Sequence, residues 1–374
     1  MRICYLANAS SSHNERWVEF FVNEGHEVHM ISFEAPKQEL EGVTVHHVPT
    51  RKKLIIPFTF FHKVSQFRKI IEEIKPDIVH AHYITKYGIM APYIDFKPYA
   101  LSAWGSDVLI DVKGRFIGAL MRRFASKAII ESQFVHTDGI KTRDAMIELG
   151  ARSDKIILSY FGIESDRFTA GKRSDEMRER LGVTNKIAVI SLRSLHLIYD
   201  IESLIKAIPL VVSKNPNIRF VILGDGPLRT ELEKLAVDLN VAEYVNFVGR
   251  VNLADMPIYL ASCDVYVSTS LSDAGLAAST GEAMACELPV IVTEDPDNRV
   301  WIDDGINGYI IPTKSPEALA EKISILASDS AMRKKFGQLS RQAIVERNSY
   351  ETEMKKIEEM YKDVLDTCKK SETH

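Results

Sequence analysis

Short apolar runs and amphipathic stretches alternate along this chain, and they do so twice. The first series reads "RICYLA", a helix over 13–25, "HEVHMIS", a helix at about 63–74, "PDIVHAH", "YALSAW", a helix near 114–126, "KAIIES", a helix near 139–149 and "KIILSY". The pattern breaks at "GIESDRFTAGKRSDEMRERLG", which carries charge, glycine and few apolar residues. It restarts with "KIAVISLRS", a helix at 200–214, "IRFVILGDG", a helix at 228–238, "YVNFVGRV", a helix at 253–261, "CDVYVSTS" and "PVIVTE". Strands separated by helices imply a parallel sheet with helices on both faces. The chain is therefore expected to be α/β, with two doubly wound halves.

At 374 residues the chain exceeds one ordinary hydrophobic core, which agrees with two domains. The break predicts a first domain over 1–168 and a second over 169–349, followed by a last helix at about 350–369. Ligands of such sheets bind beyond the carboxyl ends of the strands. Two such edges facing each other would form a deep cleft between domains. The net charge of -4 argues against nucleic acid as a partner. Cys4, Cys263, Cys286 and Cys368 lie far apart, without the spacing of a zinc or redox motif. The start "MRICYLAN" reads as a strand rather than a signal peptide, and no run reaches the ~18–20 apolar residues of a membrane span. The expected location is cytoplasmic.

Several short motifs stand at strand ends. "LGDGPLRTELEKLA" has a G-x-G turn between strand and helix, but Arg229 stands where a third glycine would complete a dinucleotide fingerprint. Nicotinamide chemistry is therefore disfavoured, leaving a tight turn with Pro227 opening the helix or a nucleotide-facing loop. Arg193 ends the strand "KIAVISL", where a planar, permanently charged guanidinium suits a diphosphate; a solvated arginine is the alternative. In "STSLSDAGLAASTGEAMACELPVIV", Asp273 follows a strand, and Ser279 to Glu282 has the form of a capping box. Glu282 either caps the helix or accepts hydrogen bonds from a ribose diol, while the small loop over 274–278 and the helix N-terminus hold phosphate. Asp273 and Glu282 also permit a two-carboxylate hydrolase.

In the first half, "VHAHY" puts His80 and His82 on one face of a strand end. A metal is not expected, because no third ligand stands at a suggestive spacing. His82 is a candidate catalytic histidine, with a packed ring as the alternative. "ANASSSH", with Ser10, Ser11 and His13, and "SAWGSD", with Trp104 and Asp107, are candidate loops for an acceptor or a phosphate. The segment 51–69 mixes Arg51, Lys52, Lys53, Lys63, Arg68 and Lys69 with aromatic residues, which suits peripheral contact with anionic lipid at the inner face of a membrane. A helix packed on its own domain is the alternative.

Taken in order, "EGHEV", "PDIVHAH", "WGSDV", "FGIESDRF", "LGDGPLRTELEKLA", "VNFVGRV", "ADMPIYLASCDVYVSTS", "GEAMACELPVIV", "DDGINGYIIP" and "SPEALAEKI" resemble the family 4 retaining glycosyltransferases from end to end. That resemblance implies the GT-B fold, two Rossmann-like domains facing a deep cleft, with the acceptor on the first and the donor on the second. It implies a last helix, 350–374, that crosses back to the first domain. It also implies transfer of a hexose from a nucleotide-diphosphate sugar, in UDP or GDP form, to a glycan, lipid-linked or polyol hydroxyl, as in polysaccharide biosynthesis, without a metal or other cofactor. Arg193 matches the family's diphosphate arginine, and Glu282 the second acid of its paired-glutamate motif. Val248 and Gly249 match the segment that contacts the base, and Gly275, Leu276 and Ala277 the loop against diphosphate and sugar.

The departures are specific. Leu197, Ile198 and Tyr199 occupy the neighbourhood of a usual lysine. Asp273 stands nine residues before Glu282, where a glutamate eight before is usual. Trp104 replaces a common histidine, and serines replace the glycines of the first loop. The expected activity is a glycosyltransferase. The alternatives are a nucleotide-sugar epimerase on the same plan and a nucleotide-sugar-binding pseudoenzyme.

Overall fold

The computed structural model describes residues 1–49, 56–112, 117–160, 162–273 and 275–372. The chain separates into two compact units. One comprises Met1–Tyr160 with the C-terminal segment from Glu351, and the other comprises residues 161–350.

The first unit is built on a seven-stranded sheet. Its strands are β1 (Arg2–Leu6), β2 (Glu27–Ser32), β3 (Val43–His47), β4 (Ile78–His82), β5 (Tyr99–Ala103), β6 (Val135–Thr137) and β7 (Ile156–Leu158). They lie in the order β3-β2-β1-β4-β5-β6-β7, and every pair is parallel. The central strands are buried on both faces, which is why they read as continuous apolar runs rather than as alternations. Helices cover the faces: Val64, Phe67 and Ile71 of Ile56–Ile74 recur at helical spacing and enter the core.

The run "KAIIES", expected to be a strand, is the end of the helix Ile117–Glu131. Ala125, Ala128 and Ile129 are buried and stand three and four residues apart, the spacing of a helix face. A short apolar run does not by itself separate a strand from a buried helix. The sheet position belongs instead to the three-residue β6.

The helix Tyr350–Glu372 is part of this first unit. Met354, Ile357 and Tyr361 form its buried stripe. The Tyr361 hydroxyl meets Nδ1 of His80 and lies 3.3 Å from the Tyr5 hydroxyl. Ser159 donates to the Glu353 carboxylate at 2.9 Å, and His26 pairs with Glu358 at 3.0 Å.

The second unit carries a six-stranded parallel sheet in the order β10-β9-β8-β11-β12-β13. Its strands are β8 (Ile187–Leu192), β9 (Ile218–Leu223), β10 (Val245–Gly249), β11 (Val265–Ser268), β12 (Val290–Thr293) and β13 (Gly308–Ile311). Residues 162–168 pack with this unit: Ile163 bridges to Ser349, and Arg341 donates to the carbonyls of Ser165 and Phe168 at 3.2 and 3.0 Å. In each sheet the strand order reverses once, between β1 and β4 and between β8 and β11. These reversals are where α/β sheets place ligands.

Candidate functional site

At the β8/β11 reversal the chain leaves β8 directly into Arg193. Two glycines seat this loop. A Cβ on Gly224, whose φ is +123°, would lie 2.3 Å from the carbonyl oxygen of Arg193, and one on Gly226 would lie 2.4 Å from that of Leu195. Leu195 N–H donates to Asp225 at 3.1 Å, and Leu228 N–H to Leu195 at 3.2 Å. The G-x-G turn is thus a socket for the arginine loop. Pro227 lies outside the following helix, Arg229–Asp238, because Leu228 is its N-cap.

The Arg193 side chain is only 8% exposed. Its guanidinium pairs with the Asp273 carboxylate, donates to Ser279 Oγ at 3.2 Å, and lies 4.3 Å above the Tyr199 ring. Burial works against its charge, but Asp273 and the Tyr266 and Tyr199 rings more than offset that, so its pKa is raised. Among the described residues its Nε has no partner. Ser279 is held in turn by the buried Tyr266 hydroxyl at 2.9 Å. A buried guanidinium with one N–H unmet is poised for a further acceptor.

The neighbouring loop corrects two expectations. Ser279 does not start a capping box: the helix is Ala278–Ala285, Ala277 is its N-cap, and the Ser279 hydroxyl is engaged by Arg193 and Tyr266. Glu282 is the fifth residue of that helix and half-buried, so it is not a cap. Leu276 is 7% exposed and packs as a plug, close to where a Cβ on Gly281 would stand. Gly275, with φ of +89°, and the half-buried Ala277 remain available to line a ligand; Ala274 lies outside the described residues. On β10 the register slips between Phe247 and Gly249, so Val248 is a bulge residue with no partner on β9. Gly249 has φ of +86°, and its carbonyl accepts from Gly224 N–H at 2.8 Å.

Tyr199, Tyr266, Ser270 and Ser279 were not legible as site residues. Where a lysine would be usual, the turn Leu197–Tyr199 exposes Leu197 and Ile198 and lays Tyr199 on Arg193. It is tied to the β11 exit by Leu271 N–H to the Ile198 carbonyl at 2.8 Å and Thr269 Oγ1 to the Tyr199 carbonyl at 2.9 Å.

The β1/β4 reversal is filled differently. His82 is 1% exposed, with Nδ1 2.8 Å from Asn14 Oδ1 and its ring against Tyr5, Trp17 and Trp104. Burial pushes its pKa down to about 3, so it is a neutral, packed ring rather than a solvent-facing base. Asp107 is also fully buried. It accepts from the N–H groups of Ile84 at 2.7 Å and Trp104 at 3.1 Å, and so latches two loops instead of facing an acceptor. Burial nevertheless raises its pKa to about 6. Ser10 donates to Asn8 Oδ1 at 2.8 Å, Ser11 is the N-cap of the helix Ser12–Asn23, and His13 is exposed with its ring 6.0 Å from that of Trp104. Ser10, Ser11, His13 and Trp104 therefore do stand together at this edge.

The predicted lipid-facing segment is only partly described. Arg51, Lys52 and Lys53 lie outside the described residues. Lys63 sits 4.3 Å over the Phe33 ring, and Arg68 donates to the carbonyls of Ile94 and Tyr93 at 3.0 and 2.9 Å, so both turn onto their own unit.

Residues 173–343 match the family model for glycosyl transferases group 1, and residues 2–137 match that for glycosyl transferase 4-like proteins. The alpha-monoglucosyldiacylglycerol synthase of Acholeplasma laidlawii is 26% identical over 91% of this chain and 90% of its own length. A GDP-mannose-dependent alpha-(1-6)-phosphatidylinositol monomannoside mannosyltransferase of Mycolicibacterium smegmatis is 25% identical over 84% of this chain and 85% of its own. Among solved structures, Anabaena HepE in complex with UDP superimposes with a TM-score of 0.81 at 18% identity, covering 97% of this chain and 100% of that one. The shared architecture is the GT-B fold.

Proposed function

The chain belongs to the glycosyl transferases group 1 family and moves a sugar from a nucleotide sugar, and we propose that it does so with retention, without a metal, onto a lipid-borne hydroxyl. The single observation that supports this most is the buried Arg193 at the β8/β11 reversal, whose Nε–H has no partner among the described residues. A UDP- or GDP-sugar would place its diphosphate there, with the base near Val248 and Gly249 and the ribose diol on Glu282. As the glycosidic bond breaks, negative charge grows on the departing diphosphate. Arg193 stays charged at every working pH, and the N-terminus of the helix Ala278–Ala285 adds its dipole. Those donors stabilise the leaving group without a metal. Attack by the acceptor hydroxyl on the face the leaving group departs from would retain configuration.

Asp273 has a further consequence. It pairs with Arg193, so a bound diphosphate must share or displace it. A lipid acceptor is favoured by the two relatives whose names specify monoglucosyldiacylglycerol and a phosphatidylinositol mannoside. The test is transfer from a panel of UDP- and GDP-sugars to detergent-dispersed diacylglycerol and phosphatidylinositol glycosides, in excess EDTA, with the product anomer read by NMR. An α-linked glycolipid formed from an α-linked donor in EDTA is the expected result. An inverted product, or activity that only a divalent ion restores, would contradict it.

A further inference from the structure

We propose that the outer face of the helix Ile117–Glu131 is a surface that seats this protein on an anionic lipid membrane. Arg122, Arg123, Lys127 and Ile130 line an open groove of about 770 Å³ on this helix, together with Glu131. Leu120, Arg123, Lys127, Ile130 and Glu131 recur at three- and four-residue intervals and so share one face, with Arg122 at its edge. That face is unusually apolar for its exposure: Leu120 is 52% and Ile130 59% exposed. The patch continues sideways. The Lys127 ammonium lies 5.7 Å from the Tyr93 ring, and the ring of the exposed Phe61 lies 6.1 Å from Tyr93.

Charge complementarity selects the occupant. The chain as a whole carries a net charge of -4 and is repelled by an anionic surface except where cations gather. Around this groove three cations, Arg123 and Lys127 on the face and Arg122 at its edge, stand against one carboxylate, Glu131, which is paired with Lys127. Arg122 donates to the Glu148 carbonyl at 3.1 Å and keeps its full charge while doing so. Long cationic side chains between exposed aliphatic ones are the pattern of a helix lying in a lipid interface, where the stems reach past the apolar residues and the charges meet headgroups. In the 51–69 segment Arg68 is bonded to two backbone carbonyls and Lys63 covers Phe33, while Lys69 is exposed. This proposal rests on the lipid-acceptor reading only for its purpose, not for its geometry.

The experiment is co-sedimentation of the full chain with vesicles of phosphatidylcholine alone and of phosphatidylcholine mixed with phosphatidylglycerol, at low and high salt. Wild-type protein should bind the mixed vesicles, ignore the neutral ones, and be released by salt. Arg123→Gln and Lys127→Gln should each weaken binding about fivefold, the equivalent of ~1 kcal/mol per interfacial charge. Leu120→Ser with Ile130→Ser should weaken it further, while Lys206→Gln, at an exposed position of the helix Ile201–Val212 in the second unit, should not. All four positions are on the surface, so nucleotide-sugar binding should stay at the wild-type level and certify folding. Three results would overturn the proposal: no binding of wild type at low salt, binding that survives the fourfold variant, or a wild type that ignores vesicles but self-associates through this face. Transfer to a detergent-dispersed lipid is scored separately. Its absence alongside intact vesicle binding would remove the lipid acceptor and leave the docking face standing.

Discussion

Both sheets reverse their strand order once, and the two reversals are filled with opposite chemistry. Between β1 and β4 the chain packs rings: His82 against Tyr5, Trp17 and Trp104, with His80 and His136 behind it, joined through the Ser102 hydroxyl at 2.9 and 3.0 Å. Between β8 and β11 it packs an ion pair, two serine hydroxyls and glycines. The topology offers a ligand edge in both places, and at the second a guanidinium, paired with Asp273, stands at the end of its strand. The fold supplies the location, and the side chains decide which edge can hold a diphosphate.

The comparison is broken most severely at Arg193. Arg193→Ala leaves the half-buried Asp273 without its partner, which should lower the stability of the second unit by about 1–3 kcal/mol. Transfer should fall by about 10²–10³, the usual loss for a donor that meets developing charge. Calorimetry and turnover together check this. Unchanged turnover in folded protein would remove Arg193 from the chemistry.

Acid should break the first unit instead. Burial pushes His82 and His136 down to about 3 and about 4, and takes His80 well below its ordinary value. An unfolded histidine titrates near 6.5, so between pH ~6.5 and ~4 the unfolded chain binds protons that the folded one refuses, and stability falls with pH. Asp107 acts the other way. Its pKa is raised to about 6, so it contributes stability at low pH that is lost as pH rises through that value. The three neutral histidines outweigh the single carboxyl of Asp107, so the net effect of lowering the pH is a loss of stability. The stretch 161–350 contains a single histidine, the exposed His196. Hydrogen exchange at pH 7 and pH 5 should therefore show the β1–β7 sheet and the helix Tyr350–Glu372 losing protection first. Equal loss in both units would contradict the assignment of neutral buried histidines.

How much of this contrast was legible in the sequence follows from what each feature depends on. The two α/β halves were readable because their central strands are continuous apolar runs, and Arg193 was readable because it ends one of them. The strand at "KAIIES" was misplaced because burial at 125, 128 and 129 fits a helix equally well. Ser279 looked like a cap because three-residue spacing cannot show that its hydroxyl is taken by Arg193 and Tyr266. Asp107 stood correctly at a strand end, but its carboxylate turns inward to two backbone N–H groups, which no local pattern records.

Smaller changes sharpen the second edge. Glu282 is not a cap, so Glu282→Gln should fold normally and weaken donor binding about ten- to a hundredfold, as expected for loss of a charged acceptor worth ~1.5–3 kcal/mol. A Gln variant with wild-type donor affinity would place the ribose elsewhere. Tyr266→Phe removes the hydroxyl that holds Ser279 beneath Arg193. It should cost about 1 kcal/mol of stability and slightly weaken nucleotide binding; a silent variant would show that Ser279 is positioned by the helix alone.

The central claim is that the donor diphosphate sits on Arg193 at the β8/β11 reversal and needs no metal. It is tested most directly by calorimetric titration of UDP and GDP into the wild type and into Arg193→Lys, both in excess EDTA. Lysine keeps a charge for Asp273 but loses the planar fork that grips two oxygens. One of the two nucleotides should bind the wild type in EDTA and bind the lysine variant at least tenfold more weakly, a difference of about 1.4 kcal/mol. Equal affinity for the two proteins, or binding that appears only when a divalent ion is restored, would contradict it.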